Sequence, residues 1–260
     1  MYKKLSLLFL LLLPLGAMAQ EKDTLELALS EVQDTLGLAM PQMQDTLRMA
    51  ATNVRPPCKF RIAVHGGYAY RIAKMPENIS EAERQYVQAL KHGPIYGADA
   101  SWYFKNDLGA GVRVSSMHAG ASSYGTLIYN DGHQETGKIL DKINIFFVGP
   151  QFSVRHVSRS GNSMLVMNIA FGYMQYKDAM KILDSKTIAI GGTVGYGLDF
   201  AYEFRLAEWL WLGAQISGLS GSVGTFKVDD GTTRQTLTLD ADEWEGLTHV
   251  NVAAGIRICL

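Results

Sequence analysis

The chain has 260 residues, a net charge of −1 and a hydrophobic fraction of 47%. That charge balance gives no electrostatic case for a nucleic-acid partner, and that apolar content excludes a disordered chain. Glycine is abundant (26) and tyrosine frequent (12), while proline is scarce (7), a composition suited to tightly curved sheets.

The first element is an export signal. Lys3 and Lys4 form its positive end, residues 5–13 form an apolar run broken only by Ser6, and Ala17-Met18-Ala19 is a small-x-small cleavage site. Residues 1–19 are therefore expected to be removed, leaving Gln20 as the first residue. No cysteine closely follows the apolar run, so a lipoprotein signal is not expected. After it the sequence has no apolar stretch approaching the roughly 18 residues that a helical span needs. A closed β-barrel is the other fold that satisfies its backbone inside lipid.

Residues 20–57 read as a periplasmic linker. Asp23-Thr24-Leu25, Gln33-Asp34-Thr35-Leu36 and Gln44-Asp45-Thr46-Leu47 recur at a spacing of about eleven, a period that fits helix turns. Arg55-Pro56-Pro57 ends the segment, because proline cannot continue a helix.

From Cys58 the chain offers eight strand candidates: residues 59–72, 95–104, 108–118, 139–157 with a bend at Gly149-Pro150, 163–176, 187–204, 210–222 and 249–260. The last states the pattern most clearly. Val250, Val252, Ala254, Ile256, Ile258 and Leu260 alternate with polar, small or charged residues, the period of a strand between two solvents. The first strand repeats it, with Phe60, Ile62, Val64, Tyr68 and Tyr70 on one face and Arg61, His65 and Arg71 on the other. Connections at 105–107, 158–162 and 205–208 are short, whereas 73–94, 119–138, 177–186 and 223–245 are long or polar. That asymmetry is expected of an outer-membrane barrel, with both termini on the short-turn, periplasmic side. Ser80-Glu81-Ala82-Glu83 predicts a capped helix in the first long loop, with Gly93 as its stop. Trp102, Phe104, Tyr202, Phe204 and Trp209 gather near the short turns, and Tyr68, Tyr70, Tyr96, Tyr173 and Tyr176 near the long loops, as two interfacial belts would.

The segment Trp102-Tyr103-Phe104-Lys105-Asn106-Asp107-Leu108-Gly109-Ala110-Gly111-Val112 resembles a hairpin of small single-chain outer-membrane proteins of the outer membrane protein beta-barrel domain type. The resemblance covers roughly residues 59–260. It implies a fold rather than an activity. That family usually ends in an aromatic residue read by the barrel-assembly machinery, where this sequence has Leu260.

The expected fold is all-β: an eight-stranded antiparallel transmembrane barrel over residues 58–260, with ten strands as the alternative. Its lumen would be filled by a network of Arg61, His65, Arg71, Asp99, Arg113, Lys142, Asn144, Arg155, Asp199, Glu203, His249, Asn251 and Arg257, since eight strands leave room only for side chains. Gly191, Gly195 and Gly197 would make space for the arginines. His65 and His249 are expected as a hydrogen-bonded pair and not a metal site, which needs three or four ligands. Cys58 and Cys259 come to the same rim on closure; strict alternation points them to opposite faces, but Cys58 precedes the regular ladder, so a disulfide stays open. His156-Val157-Ser158 has the spacing of lipid-deacylating barrels but falls at a periplasmic turn, the wrong side for that chemistry.

The function expected is structural or surface-interacting, without catalysis, metal or cofactor, in a monomer surrounded by outer-membrane lipid and folded by the barrel-assembly machinery. An extracellular ligand of the long loops is left unnamed. Three alternatives stand beside it: a narrow channel for small solutes, a lipid-modifying outer-membrane enzyme, and a soluble periplasmic lipocalin-like barrel with inverted facing.

Overall fold

Alternating side chains build one continuous wall. The computed structural model describes residues 58–72, 80–128, 134–182 and 185–260. The export signal, the linker and its eleven-residue repeat lie outside the described residues.

Eight antiparallel strands form a hydrogen-bonded ring: β1 (Phe60–Arg71), β2 (His92–Tyr103), β3 (Leu108–Ile128), β4 (Gln134–Val157), β5 (Ser163–Ile182), β6 (Ser185–Arg205), β7 (Leu210–Ser220) and β12 (His249–Cys259). The seam is the β1–β12 ladder, which runs from Arg61 opposite Cys259 to Arg71 opposite His249. Four shorter strands lie between β7 and β12: β8 (Ser222–Val223), β9 (Thr225–Asp229), β10 (Arg234–Thr238) and β11 (Glu245–Gly246). β7 pairs with the second half of β6, and β9 takes over opposite Ile188–Gly191. The β9–β10 hairpin therefore widens the sheet to ten strands without entering the ring.

The facing is that of a barrel in lipid. Val250, Val252 and Ile256 are exposed on the outside while Arg61 and Arg257 are buried inside. A soluble lipocalin-like barrel requires the reverse, so that alternative is excluded. On β6 the outward row Val194, Tyr196, Leu198, Phe200, Tyr202 and Phe204 is exposed throughout. Trp102, Phe104 and Trp209 ring the end that carries the short turns and Leu260, while Tyr68, Tyr70, Tyr96 and Tyr173 ring the other. Tyr176 does not join that second belt; it is on the inward face of β5 and buried. The end with the termini is the periplasmic one in a barrel of this kind.

The extracellular end departs from the sequence expectations. Residues 119–128, 134–138 and 177–182 are not loops but continue β3, β4 and β5 as strand, because the hairpins keep pairing beyond the aromatic belt. Gly93 does not stop the helix; it pairs with Ala69 inside β2. The helix α1 (Glu81–Ala89) does begin with the capping box, Ser80 accepting from the Glu83 backbone N–H and Glu83 accepting from the Ser80 N–H at 2.8 Å. Gly149-Pro150 does not break the strand phase of β4, since pairing to β5 resumes in register on both sides.

The hairpin turn between β9 and β10 is held by carboxylates. Asp229 accepts from the Gly231 N–H at 2.9 Å, with Gly231 at a φ of 87°. Asp230 accepts from the Thr233 and Thr232 N–H groups at 2.6 and 2.9 Å. The backbone donor, then Arg234, holds the Asp229 carboxyl below its ordinary range, and the Thr233 and Thr232 donors do the same for Asp230. A depressed carboxylate pKa stabilises above the unfolded value and is lost as pH falls through the folded one. Amide protection at Gly231–Thr233, measured by hydrogen exchange, is expected to be constant at neutral pH and to fall only below the usual carboxylate range.

The facing makes a second expectation. Ile256→Arg, on the lipid side of β12 opposite Val64 and between the two aromatic belts, is expected to cost roughly 2–4 kcal/mol of folding free energy in vesicles. Tyr124→Arg, beyond the belt on β3 and 78% exposed, is expected to cost under about 1 kcal/mol. Equal costs would mean that the outer wall is not graded from lipid to water.

Candidate functional site

The lumen is filled in three layers, and the middle one carries the charge. Glu203 on β6 accepts from Arg61 Nε at 3.1 and 3.2 Å through its two oxygens, and from Arg257 Nε at 3.1 Å. Arg61 also ion-pairs with Asp99 through Nη1. Gln151 donates to Asp99 at 3.4 Å and to Ser101 at 2.9 Å. Arg257 donates to the Gly213 and Gly255 carbonyls at 2.6 Å each and to Gln215 at 3.0 Å. Across the tube, Arg113 on β3 ion-pairs with Asp199 on β6. Three arginines thus meet three carboxylates, so the layer is neutral as a unit. Gly213 is what lets Arg257 lie flat: a Cβ there would stand 2.9 Å from the guanidinium carbon.

The periplasmic layer is a floor. Cys58 and Cys259 are joined by a disulfide, with Cα atoms 5.2 Å apart, beside Met164, Val166, Ala201 and Trp211. Cys58 turns inward because it lies before the first ladder residue of β1, free of the alternation. The bond closes 201 residues of sequence, worth about 5 kcal/mol in the chain-entropy account. Arg155 ties the seam to the far wall, donating to the Cys58 carbonyl and the Asn106 carbonyl at 2.8 Å each. Its guanidinium lies 3.6 Å from the Tyr103 ring centre, a cation–π contact.

The extracellular layer is an apolar plug of Ile95, Met117, Ile145, Phe147, Met174 and Leu219, roofed by Val223, Phe226 and Leu247 from the β7–β12 connection. Gly191, Gly195 and Gly197 do not make space for arginines. A Cβ at these positions would strike Val223, Met174 and Leu219, respectively. At the rim, Arg71 ion-pairs with Glu245, donates to the Gly246 carbonyl at 2.9 Å and sits 5.5 Å from the Tyr176 ring centre. Tyr86 of α1 donates to Asp141 at 3.1 Å, pinning the helix to β4.

Of the residues read from sequence, Arg61, His65, Arg71, Asp99, Arg113, Arg155, Asp199, Glu203, His249, Asn251 and Arg257 are all buried within the tube. Lys142 and Asn144 are not. Both are on the outward face of β4, where Asn144 donates to Ser116 at 2.9 Å. The inward row there is Asp141, Ile143, Ile145 and Phe147, and its apolar character mimics a lipid face. His65 and His249 do not pair. His65 stands opposite Gly255 and His249 opposite Arg71, roughly 20 Å apart along the strand. His249 Nδ1 instead lies 2.9 Å from the Leu247 carbonyl. Gln151, Ser153, Asn168 and Gln215 are buried polar members that the sequence reading misses. Counting back in twos from Arg155, short of the bend expected at Gly149-Pro150, finds Ser153 and Gln151.

No family model matches the sequence, and no curated protein matches it. Solved structures do match the fold. A major outer membrane protein from Thermus thermophilus aligns with a TM-score of 0.52 at 10% identity, covering 77% of this chain and 98% of that one. Neisserial surface protein A aligns at 0.47 and 11%, covering 78% and 97%. The outer membrane protease OmpT from Escherichia coli aligns at 0.40 and 8%, covering 81% and 100%. The apolar outer wall, the charged interior and this fold together make the chain an outer-membrane β-barrel.

Glu203 is the residue on which the charged layer turns, since its loss takes the carboxylate from buried Arg257 and leaves Arg61 with Asp99 alone. Glu203→Gln is expected to destabilise by about 3–5 kcal/mol, read as a shift of the denaturant midpoint in detergent micelles. A loss under about 1 kcal/mol would show that Arg61 and Arg257 do not depend on it.

Proposed function

We propose that this protein is a sealed, non-catalytic outer-membrane barrel with a structural or surface-interaction role. The observation that carries the reading is the filled lumen. Arg61, Arg113, Arg257, Phe147, Met174 and Trp211 are each under 2% exposed, and they come from all three layers. A solute path would have to displace an ion-paired layer and an apolar plug together. The β3–β4 and β5–β6 hairpins and β9–β10 extend past the ring and would supply the contact surface.

The enzyme reading has weaker support. His156 is exposed on the outer wall beside the periplasmic turn, and the Ser158 hydroxyl lies 3.1 Å from that of Ser160 and accepts from the Ser163 N–H at 3.2 Å. No base or orienting group accompanies it in those contacts. The working state is a monomer whose partners are the surrounding lipid and the assembly machinery that inserts it, with the lumen network and the Cys58–Cys259 bond as structural elements.

Planar-bilayer recordings of the purified protein are expected to give no unitary steps. Lipid A from cells with and without the gene is expected to have one mass profile. Reproducible conductance steps would favour the channel instead, and a protein-dependent mass change would favour the enzyme.

A further inference from the structure

We propose that a proton shared by Asp141 and Asp178 is the central link of a latch that fastens helix α1 and the β11 roof across the extracellular mouth, and that raising the pH unfastens it. Both residues lie on the inward faces of β4 and β5, beyond the level of Tyr173. Asp141 is opposite Met180 and Asp178 is opposite Ile143, which makes the two carboxyls diagonal neighbours on one face of a strand pair. They are in hydrogen-bond contact, and Asp141 is only 4% exposed. Neither Oδ1 receives a donor among the described residues. A carboxylate only accepts, so two carboxyls hydrogen-bond only when one of them carries the proton. Stripped of it, two adjoining buried charges repel.

The pair joins two arms. On one side Tyr86 of α1 donates to Asp141 Oδ2 at 3.1 Å. On the other, Tyr176 donates to Asp178 Oδ2 at 3.5 Å. The Arg71 guanidinium sits 5.5 Å from the Tyr176 ring centre, ion-pairs with Glu245 and donates to the Gly246 carbonyl at 2.9 Å. One chain of contacts therefore runs from the helix through the two carboxyls to the roof. Burial, then the neighbouring carboxylate, pushes both tyrosines up, so they stay hydroxyls, and a guanidinium keeps its proton. The carboxyl pair is where pH acts on the chain. Among the described residues the charged and titratable groups around it are Arg71 of β1, Tyr86 of α1, Lys91 buried just before β2, and Tyr176 of β5, with Glu245 of β11 and His249 of β12 beyond Arg71.

Burial, then the hydrogen bond and charge of Asp141, pushes Asp178 up to about 8, against the opposing pull of Tyr176 and Arg71. Lifting the cover lets water reach the pair and returns Asp178 to the ordinary carboxylate range, about 4. Between those two values the closed cover holds one proton more than the open one. Its stability is full below the window, falls by up to tenfold per pH unit through it, and levels off above it. The ion-paired layer of Arg61, Arg113 and Arg257 has no member in the chain, so the tube stays filled when the cover lifts. What is uncovered is the apolar top of the plug, formed by Val223, Phe226 and Leu247.

The test is hydrogen exchange of the full-length protein in detergent micelles from about pH 5 to about pH 9, with each rate divided by the intrinsic rate at that pH. Protection of α1 and of residues 245–247 is expected to fall by up to tenfold per unit until about pH 8 and then to hold constant, while the amides of the β1–β12 seam do not change. Asp178→Asn donates to Asp141 at every pH, so it is expected to keep the cover protected and to remove the dependence. Infrared difference spectra supply a readout that needs no motion of the helix. The wild type at neutral pH is expected to show the carbonyl stretch of a protonated carboxyl that Asp178→Asn lacks and that titrates near pH 8. Corrected protection that does not vary with pH, or an unchanged dependence in Asp178→Asn, would overturn the proposal. Should that variant not fold, a wild type without a protonated carboxyl band at neutral pH would overturn it equally.

Discussion

The structure depends on one shared carboxylate. Glu203 reaches from β6 to Arg257 on β12 and to Arg61 on β1, and Arg61 passes the contact on to Asp99 on β2. That chain of charge crosses the seam where the first and last strands of the ring meet. In lipid, closure is obligatory, because a strand edge left open has no water to pair with. Side chains inside the tube then have to be apolar bodies, matched charges or hydrogen-bonded polar groups, as Arg155 is through the Asn106 and Cys58 carbonyls.

The layering follows from the same constraint. The central layer is neutral, with Arg61, Arg113 and Arg257 against Asp99, Asp199 and Glu203, and is enclosed between two further packed layers. Below it the disulfide and Trp211 close the periplasmic end. Above it Met174, Leu219 and Phe147 exclude water, and the short β8–β11 pair lies across the mouth with Leu247 buried beneath it. A tube filled this way leaves its outside and its extracellular end as the surfaces open to lipid and water.

The outside is graded in the opposite sense to the inside. Where the wall meets acyl chains, the outward row is aliphatic and aromatic and the inward row is charged. Past the belt, β4 presents Lys142 outward and Ile143 and Ile145 inward. The polarity of the two faces exchanges at the membrane surface, because water replaces lipid on one side while the plug replaces the ion pairs on the other. This reversal makes the extracellular wall a polar, cationic surface built from the same strands that cross the membrane.

That reversal also divides what is legible in the sequence from what is not. Alternation in β1, β6 and β12 is sufficient to identify the barrel, its facing and the inward arginines, since a period of two reports directly on which face each residue occupies. The capping box of α1 is equally local. An inward assignment of Lys142 and Asn144 carries the rule that holds within the bilayer to a level above it, where the polarity code inverts. The partners of the glycines, the separation of His65 from His249 and the union of Cys58 with Cys259 depend on strand register and on how the tube closes. Those are relations between distant parts of the chain, set by packing in three dimensions, and no local pattern encodes them.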